Sequence, residues 1–227
     1  MSWLRDFIEL IYPRTCGACN IPLLYGEKII CIKCLAELPY TYYHKDKDNP
    51  VAQIFWGRVP LQAATSLLYF HKKGRTQHML HLLKYKGRKD IGIFLGQILG
   101  NQLKENDDFK TIDTIIPIPL HPKRQKQRGY NQAECIAIGI GLSMNVPVEN
   151  NLVIRNTETK TQTKKNRTER WENVANVFSI QEQYSAEGKH YLLVDDVVTT
   201  GATLEACAQT LLSIPNTKIS IASLAKA

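Results

Sequence analysis

The residues with most chemical meaning lie together in Tyr191-Leu192-Leu193-Val194-Asp195-Asp196-Val197-Val198-Thr199-Thr200-Gly201-Ala202-Thr203-Leu204. Tyr191–Val194 reads as a buried strand. Two adjacent carboxylates emerge at its C-terminal end, where open α/β sheets bind their ligands. The small-residue loop Thr199–Thr203 then opens directly into a helical pattern. Such a loop offers backbone N–H groups, hydroxyl donors and a helix N-terminus to a phosphate monoester, and Gly201 allows close approach or φ > 0. Carboxylates accept hydrogen bonds from a vicinal diol, and the loop donates them to a phosphate. A ribose 5-phosphate unit presents both groups. The competing reading is a strand–turn–helix whose Asp pair merely caps the helix.

A second chemistry sits near the N-terminus. Cys16-x2-Cys19 and Cys31-x2-Cys34 bring four thiolates close together, as a structural tetrahedral zinc ion requires. Disulfide pairing is the alternative, and a reducing compartment disfavours it. Four thiolates leave no open position for catalysis. Cys135 and Cys207 stand alone in apolar helical patterns and read as small buried residues.

Charge adds a third clue. The chain has 227 residues, 29 Lys and Arg against 21 Asp and Glu, and a formal net charge of +8. The stretches Lys72–Lys89, Lys123–Arg128 and Arg155–Arg170 hold 17 of the 29 cations and only two acids, Glu158 and Glu169. An excess this concentrated points to an anionic partner, either nucleic acid or a phosphorylated small molecule. With 44% hydrophobic and 22% charged residues the composition is that of a folded protein. No run approaches the ~20 apolar residues of a membrane-spanning helix, and the start Met1-Ser2-Trp3-Leu4-Arg5-Asp6 lacks the pattern of a secretory signal. A cytoplasmic location is expected.

The elements that must hold these groups follow from periodicity. Residues 2–12 carry Trp3, Leu4, Phe7, Ile8 and Ile11 at helical spacing, and Tyr40–Pro50 reads as a polar linker. Strands are expected at Ala63–Phe70, Thr111–Ile118, Leu152–Ile154, Tyr191–Val194 and Lys218–Leu224. Helices are expected at Thr76–Tyr85, Asp90–Lys104, Asn131–Met144, Thr168–Ala175 and Leu204–Ser213. This alternation implies an α/β fold with a mostly parallel sheet.

The string from Tyr191 to Leu204 resembles the phosphoribosyltransferase signature that binds phosphoribosyl pyrophosphate (PRPP). Further segments narrow the resemblance: Leu82-Leu83-Lys84-Tyr85-Lys86-Gly87, Ile116-Pro117-Ile118-Pro119-Leu120-His121-Pro122 leading to Arg124, Arg128-Gly129-Tyr130-Asn131-Gln132-Ala133, and Thr161-Gln162-Thr163 followed by Arg167, Arg170 and Asn173–Phe178. With the four cysteines, the chain is similar to the ComF family of competence and DNA-uptake proteins. The resemblance implies a type I phosphoribosyltransferase-like fold over residues 51–227, preceded by an N-terminal helix, four-cysteine zinc knuckle and linker over residues 1–50. It implies that Asp195 and Asp196 are the catalytic acids beside the ribose, and that Thr199, Thr200, Gly201, Ala202 and Thr203 hold the 5-phosphate. It implies Mg²⁺ accompanying PRPP. Ile116–Leu120 resembles the pyrophosphate loop, and Pro122–Asn131 or Thr161–Arg170 is expected to supply a basic lid. Arg124 and Arg128 are pyrophosphate or DNA candidates because a guanidinium fork matches phosphate oxygens; Arg167 and Arg170, three apart, share one helix face as candidates for the same partners.

Three functional classes fit: a protein of DNA uptake that binds PRPP or a related ribose 5-phosphate, an active phosphoribosyltransferase with an unidentified acceptor, and a zinc-dependent adaptor without enzymatic activity. Expected partners are the phosphorylated ribose, single-stranded DNA and other DNA-uptake proteins.

Overall fold

The computed structural model describes residues 13–156, 177–184 and 186–227. The helices expected at residues 2–12 and Thr168–Ala175, together with Arg167, Arg170 and the lid alternative Thr161–Arg170, lie outside the described residues. The described strands are β1 (Ala63–Tyr69), β2 (Thr114–Pro117), β3 (Val153–Arg155), β4 (Phe178–Ile180), β5 (His190–Val198) and β6 (Lys218–Lys226). The described α-helices are α1 (Ile32–Ala36), α2 (Pro50–Gln53), α3 (Arg75–Tyr85), α4 (Lys89–Leu103), α5 (Asp107–Lys110), α6 (Pro122–Arg128), α7 (Gln132–Met144) and α8 (Ala202–Leu211).

One sheet runs in the order β1-β6-β5-β2, every neighbouring pair parallel, while β3 and β4 form a separate antiparallel ribbon. A parallel sheet must be covered on both faces, and the alternation of side chains along its strands does this. Leu192 and Val194 of β5 join Ile115, Ala222 and Leu224 on the face that packs with α4 and α7. Tyr191 and Leu193 join Ile116, Ile219 and Ile221 on the face that packs with Leu204, Cys207 and Leu211 of α8. Two glycines let α4 and α7 meet backbone to backbone. A Cβ on Gly96 would collide with the Ile136 carbonyl oxygen, and one on Gly139 with the Ile93 carbonyl oxygen.

Two expectations change. The acid pair lies within β5 rather than beyond it, because pairing with the long β6 continues through Val197↔Ala225 and Val198↔Lys226. The stretch Tyr40–Pro50, expected to be a linker, is folded against the edge strand β1. Its Thr41 N–H donates to the Leu67 carbonyl at 3.0 Å, and the Tyr69 N–H donates back to Pro39 at 2.9 Å. Asn49 is buried; its amide donates to the Ala64 carbonyl at 2.7 Å while its oxygen caps α2 through the N–H groups of Val51 and Ala52. An otherwise open sheet edge is thereby covered. Cys16, Ala18, Ile30 and Cys34 belong to the same buried cluster as Leu83 and Ile91.

Candidate functional site

The C-terminal end of β5 opens into a cleft of about 430 Å³. Its walls include Asp195, Asp196, Thr199 and Thr203 from the β5–α8 segment, Arg124 and Arg128 from α6, Lys84 from α3, and Arg155 at the end of β3. Of the residues singled out in the sequence, the acid pair, the small-residue loop and both described arginines therefore meet around one space. Thr200, Gly201 and Ala202 line a smaller recess of about 50 Å³ continuous with Asp195 and Thr199.

Strand alternation gives the two acids different surroundings. Asp196 points to the α3 side, where its Oδ1 lies 2.9 Å from the Lys84 ammonium. Asp195 points to the α8 side; its Oδ1 accepts the Asp196 N–H at 2.8 Å. Burial, reinforced by the neighbouring Asp196 charge, pushes the Asp195 carboxyl up to about 7. Arg155 is held below the usual guanidinium range by burial and by the facing Arg124 charge, and it stacks 5.5 Å from the Phe178 ring centroid.

The loop is shaped by its glycine. Gly201 has φ +73 and is the N-cap of α8, a left-handed conformation that side chains resist. Behind the loop stands Arg58. It pairs with Glu205 of α8, and its guanidinium donates to the carbonyls of Thr200 and Ile54, each at 3.0 Å. The Thr200 carbonyl is thereby tied to Arg58, and the Ala202 N–H lies 3.5 Å from Thr200 Oγ1.

The expected basic loop after Ile116–Leu120 is a helix, α6, with Pro122 in its first turn and a His121 ring nitrogen accepting the Lys123 N–H at 3.2 Å. Arg128 is braced rather than solvated. It donates to Gln132 Oε1 at 2.6 Å and lies 5.5 Å from the Tyr85 ring centroid. Lys84 and Arg155 were not selected as site residues from sequence. Lys84 stands in the Leu82–Gly87 segment and Arg155 opens a basic run, but only the fold shows that both face the acid pair.

The four cysteines form a cluster whose sulfur atoms all lie within 4.8 Å of one another, with Cys19 and Cys31 3.9 Å apart. Tetrahedral zinc with ~2.3 Å Zn–S bonds needs sulfurs about 3.8 Å apart, so the set could hold such an ion. Burial pushes the Cys16 thiol up, yet N–H groups aimed at it, led by that of Cys31, hold it down to about 7, which favours the ligating thiolate. The Glu27 carboxylate clips the intervening loop by accepting the N–H groups of Leu24 and Ile32, both at 2.8 Å. Cys135 and Cys207 are buried, and burial raises both thiols, that of Cys135 to about 11.

A parallel sheet ending in an acid pair and a glycine loop at a helix N-terminus is the arrangement that a phosphoribosyltransferase-like fold implies, here with a four-cysteine cluster. The chain is 27% identical over 218 residues to "DNA utilization protein YhgH" of Shigella flexneri, covering 89% of this chain and 92% of that protein. It is 34% identical over 125 residues to "Competence protein F" of Haemophilus influenzae, covering 55% of each. Among solved structures it is similar to the glutamine phosphoribosylpyrophosphate amidotransferase of B. subtilis, with TM-score 0.43 and 19% identity over 63% of this chain and 30% of that one. No protein-family model matches the chain. Homologues of this chain thus include proteins named for DNA utilization and competence. Among the described residues no helix is long and apolar enough to cross a membrane.

Proposed function

We propose that this protein binds PRPP or a related ribose 5-phosphate ligand in the β5 cleft and acts in DNA uptake during natural transformation, on the cytoplasmic side. The observation that carries the reading is the convergence of opposite recognition chemistries in one space: Asp195 and Asp196 for sugar hydroxyls, the Thr199–Thr203 loop for a monoester, and Arg124, Arg128 and Arg155 for further phosphate. The DNA role rests on the names of the relatives. Residues 1–50 would form the zinc knuckle and its connection, and residues 51–227 the ligand-binding body. Zinc would be held structurally by Cys16, Cys19, Cys31 and Cys34. Mg²⁺ is expected to accompany PRPP, and at the acid pair it would meet an Asp196 carboxylate with one oxygen already facing Lys84. Single-stranded DNA and other uptake proteins would be further partners, with Arg124 and Arg128 as candidate DNA contacts.

Calorimetric titration with PRPP tests the reading: heat of binding in the wild type, lost in Asp195→Asn/Asp196→Asn, supports it, and an indifferent wild type refutes it. Single-stranded DNA affinity that falls with salt and weakens in Arg124→Ala/Arg128→Ala supports the DNA role. Salt-insensitive or absent DNA binding counts against it. Pyrophosphate release above background would add turnover to binding.

A further inference from the structure

We propose that Lys84 is a built-in counter-cation for this cleft, so that a phosphoribosyl ligand carrying pyrophosphate binds here without a divalent metal ion. The inference rests on the reading of the cleft as a phosphoribosyl site and specifies how that site balances charge.

A divalent cation in such a site has two electrostatic tasks: to neutralise the acid pair and to offset the anionic ligand. Mg²⁺ requires near-octahedral oxygen ligands at about 2.0–2.1 Å. One oxygen of each acid is already engaged here. Asp196 Oδ1 faces the Lys84 ammonium at 2.9 Å, and Asp195 Oδ1 accepts a backbone N–H at 2.8 Å.

Both tasks are instead met by side chains. Lys84, Arg124, Arg128 and Arg155 line the cleft against two acids, Asp195 and Asp196, leaving a cationic excess for the ligand. Lys84 is positioned for this work twice over. It lies in the last turn of α3, where the free carbonyls of a helix end favour a cation, and its side chain is only 22% exposed, so its charge is poorly screened. An ammonium has three donors; one engages Asp196, and the others are available to ligand oxygens. A metal ion on Asp196 Oδ1 would have to displace Lys84.

The test is calorimetric titration with PRPP in EDTA and again in excess MgCl2, for the wild type, Lys84→Met and Lys84→Arg, with circular dichroism to confirm folding. Wild-type affinities in the two buffers should agree within about threefold, well under 1.4 kcal/mol. Lys84→Met should lose about tenfold or more in EDTA and recover in MgCl2, as the freed Asp196 accepts the metal. Lys84→Arg should retain binding in EDTA. Wild-type binding seen only with MgCl2 would overturn the inference while leaving the phosphoribosyl reading intact. Lys84→Met binding as tightly as wild type in EDTA would also overturn it. Absence of binding by the wild type in both buffers would instead sink the phosphoribosyl reading.

Discussion

Replacing Gly201 by alanine tests whether the phosphate loop is held by backbone conformation and packing together. At φ +73 an alanine incurs the left-handed penalty, roughly 1–2 kcal/mol. The added Cβ would also lie 2.7 Å from Ile54 Cγ2 and 2.8 Å from Phe55 Cε1, with Phe55 only 1% exposed and unable to swing away. Overpacking of this kind costs about 1–3 kcal/mol. The two effects together predict a loss of about 2–5 kcal/mol, and each kcal/mol lowers Tm by about 2–4 °C in a chain of this size. Gly188→Ala is the internal control: its φ is +70, but no atom lies within 4 Å of the added Cβ, so only the conformational part, about 1–2 kcal/mol, should appear. Urea unfolding of both variants measures the difference, and PRPP titration of Gly201→Ala should show weakened binding as the loop shifts off Phe55. Equal losses in the two variants, or unchanged PRPP affinity in Gly201→Ala, would refute the reasoning.

Two further outcomes follow from the site. The folded state holds the Asp195 proton up to about 7, against an ordinary value of 3.8, so it binds more protons than the unfolded chain between those values. Stability therefore declines as pH rises through that window and levels off above it. Asp195→Asn removes this dependence, and its Tm relative to the wild type should rise from about pH 4 to about pH 7 and then level off; a pH-independent offset would contradict the assignment. Removing metal from the four-cysteine cluster should lower the Tm of the main transition by about 10 °C or more, because Cys16 and Cys34 share a core with Leu83 and Ile91. Thermal melts with and without a chelator check this, and an unchanged main transition would count against it.

The order of strands and helices was legible because apolar runs and helical periods alternate cleanly, and the acid pair and loop stood out as one continuous string. Geometry that depends on distant partners was not legible. The length of β5 is set by β6, so periodicity alone ended it at Val194 instead of Val198. Tyr40–Pro50 looked like a linker because it is polar, yet Thr41 and Asn49 satisfy backbone groups of β1 across more than twenty and about fifteen residues of sequence. Lys84 and Arg155 resemble ordinary surface cations in sequence; only the fold brings them to the same cleft as the acids.

The opposed orientation of the two neighbouring aspartates has an evolutionary consequence. Asp195 answers to the packing of α8, whereas Asp196 answers to a single partner on α3. The two positions therefore answer to different packing partners, despite being adjacent in the chain. Across related sequences, residue 196 should vary in step with residue 84, so that a lineage losing the lysine either loses the acid or comes to depend on a metal in its place.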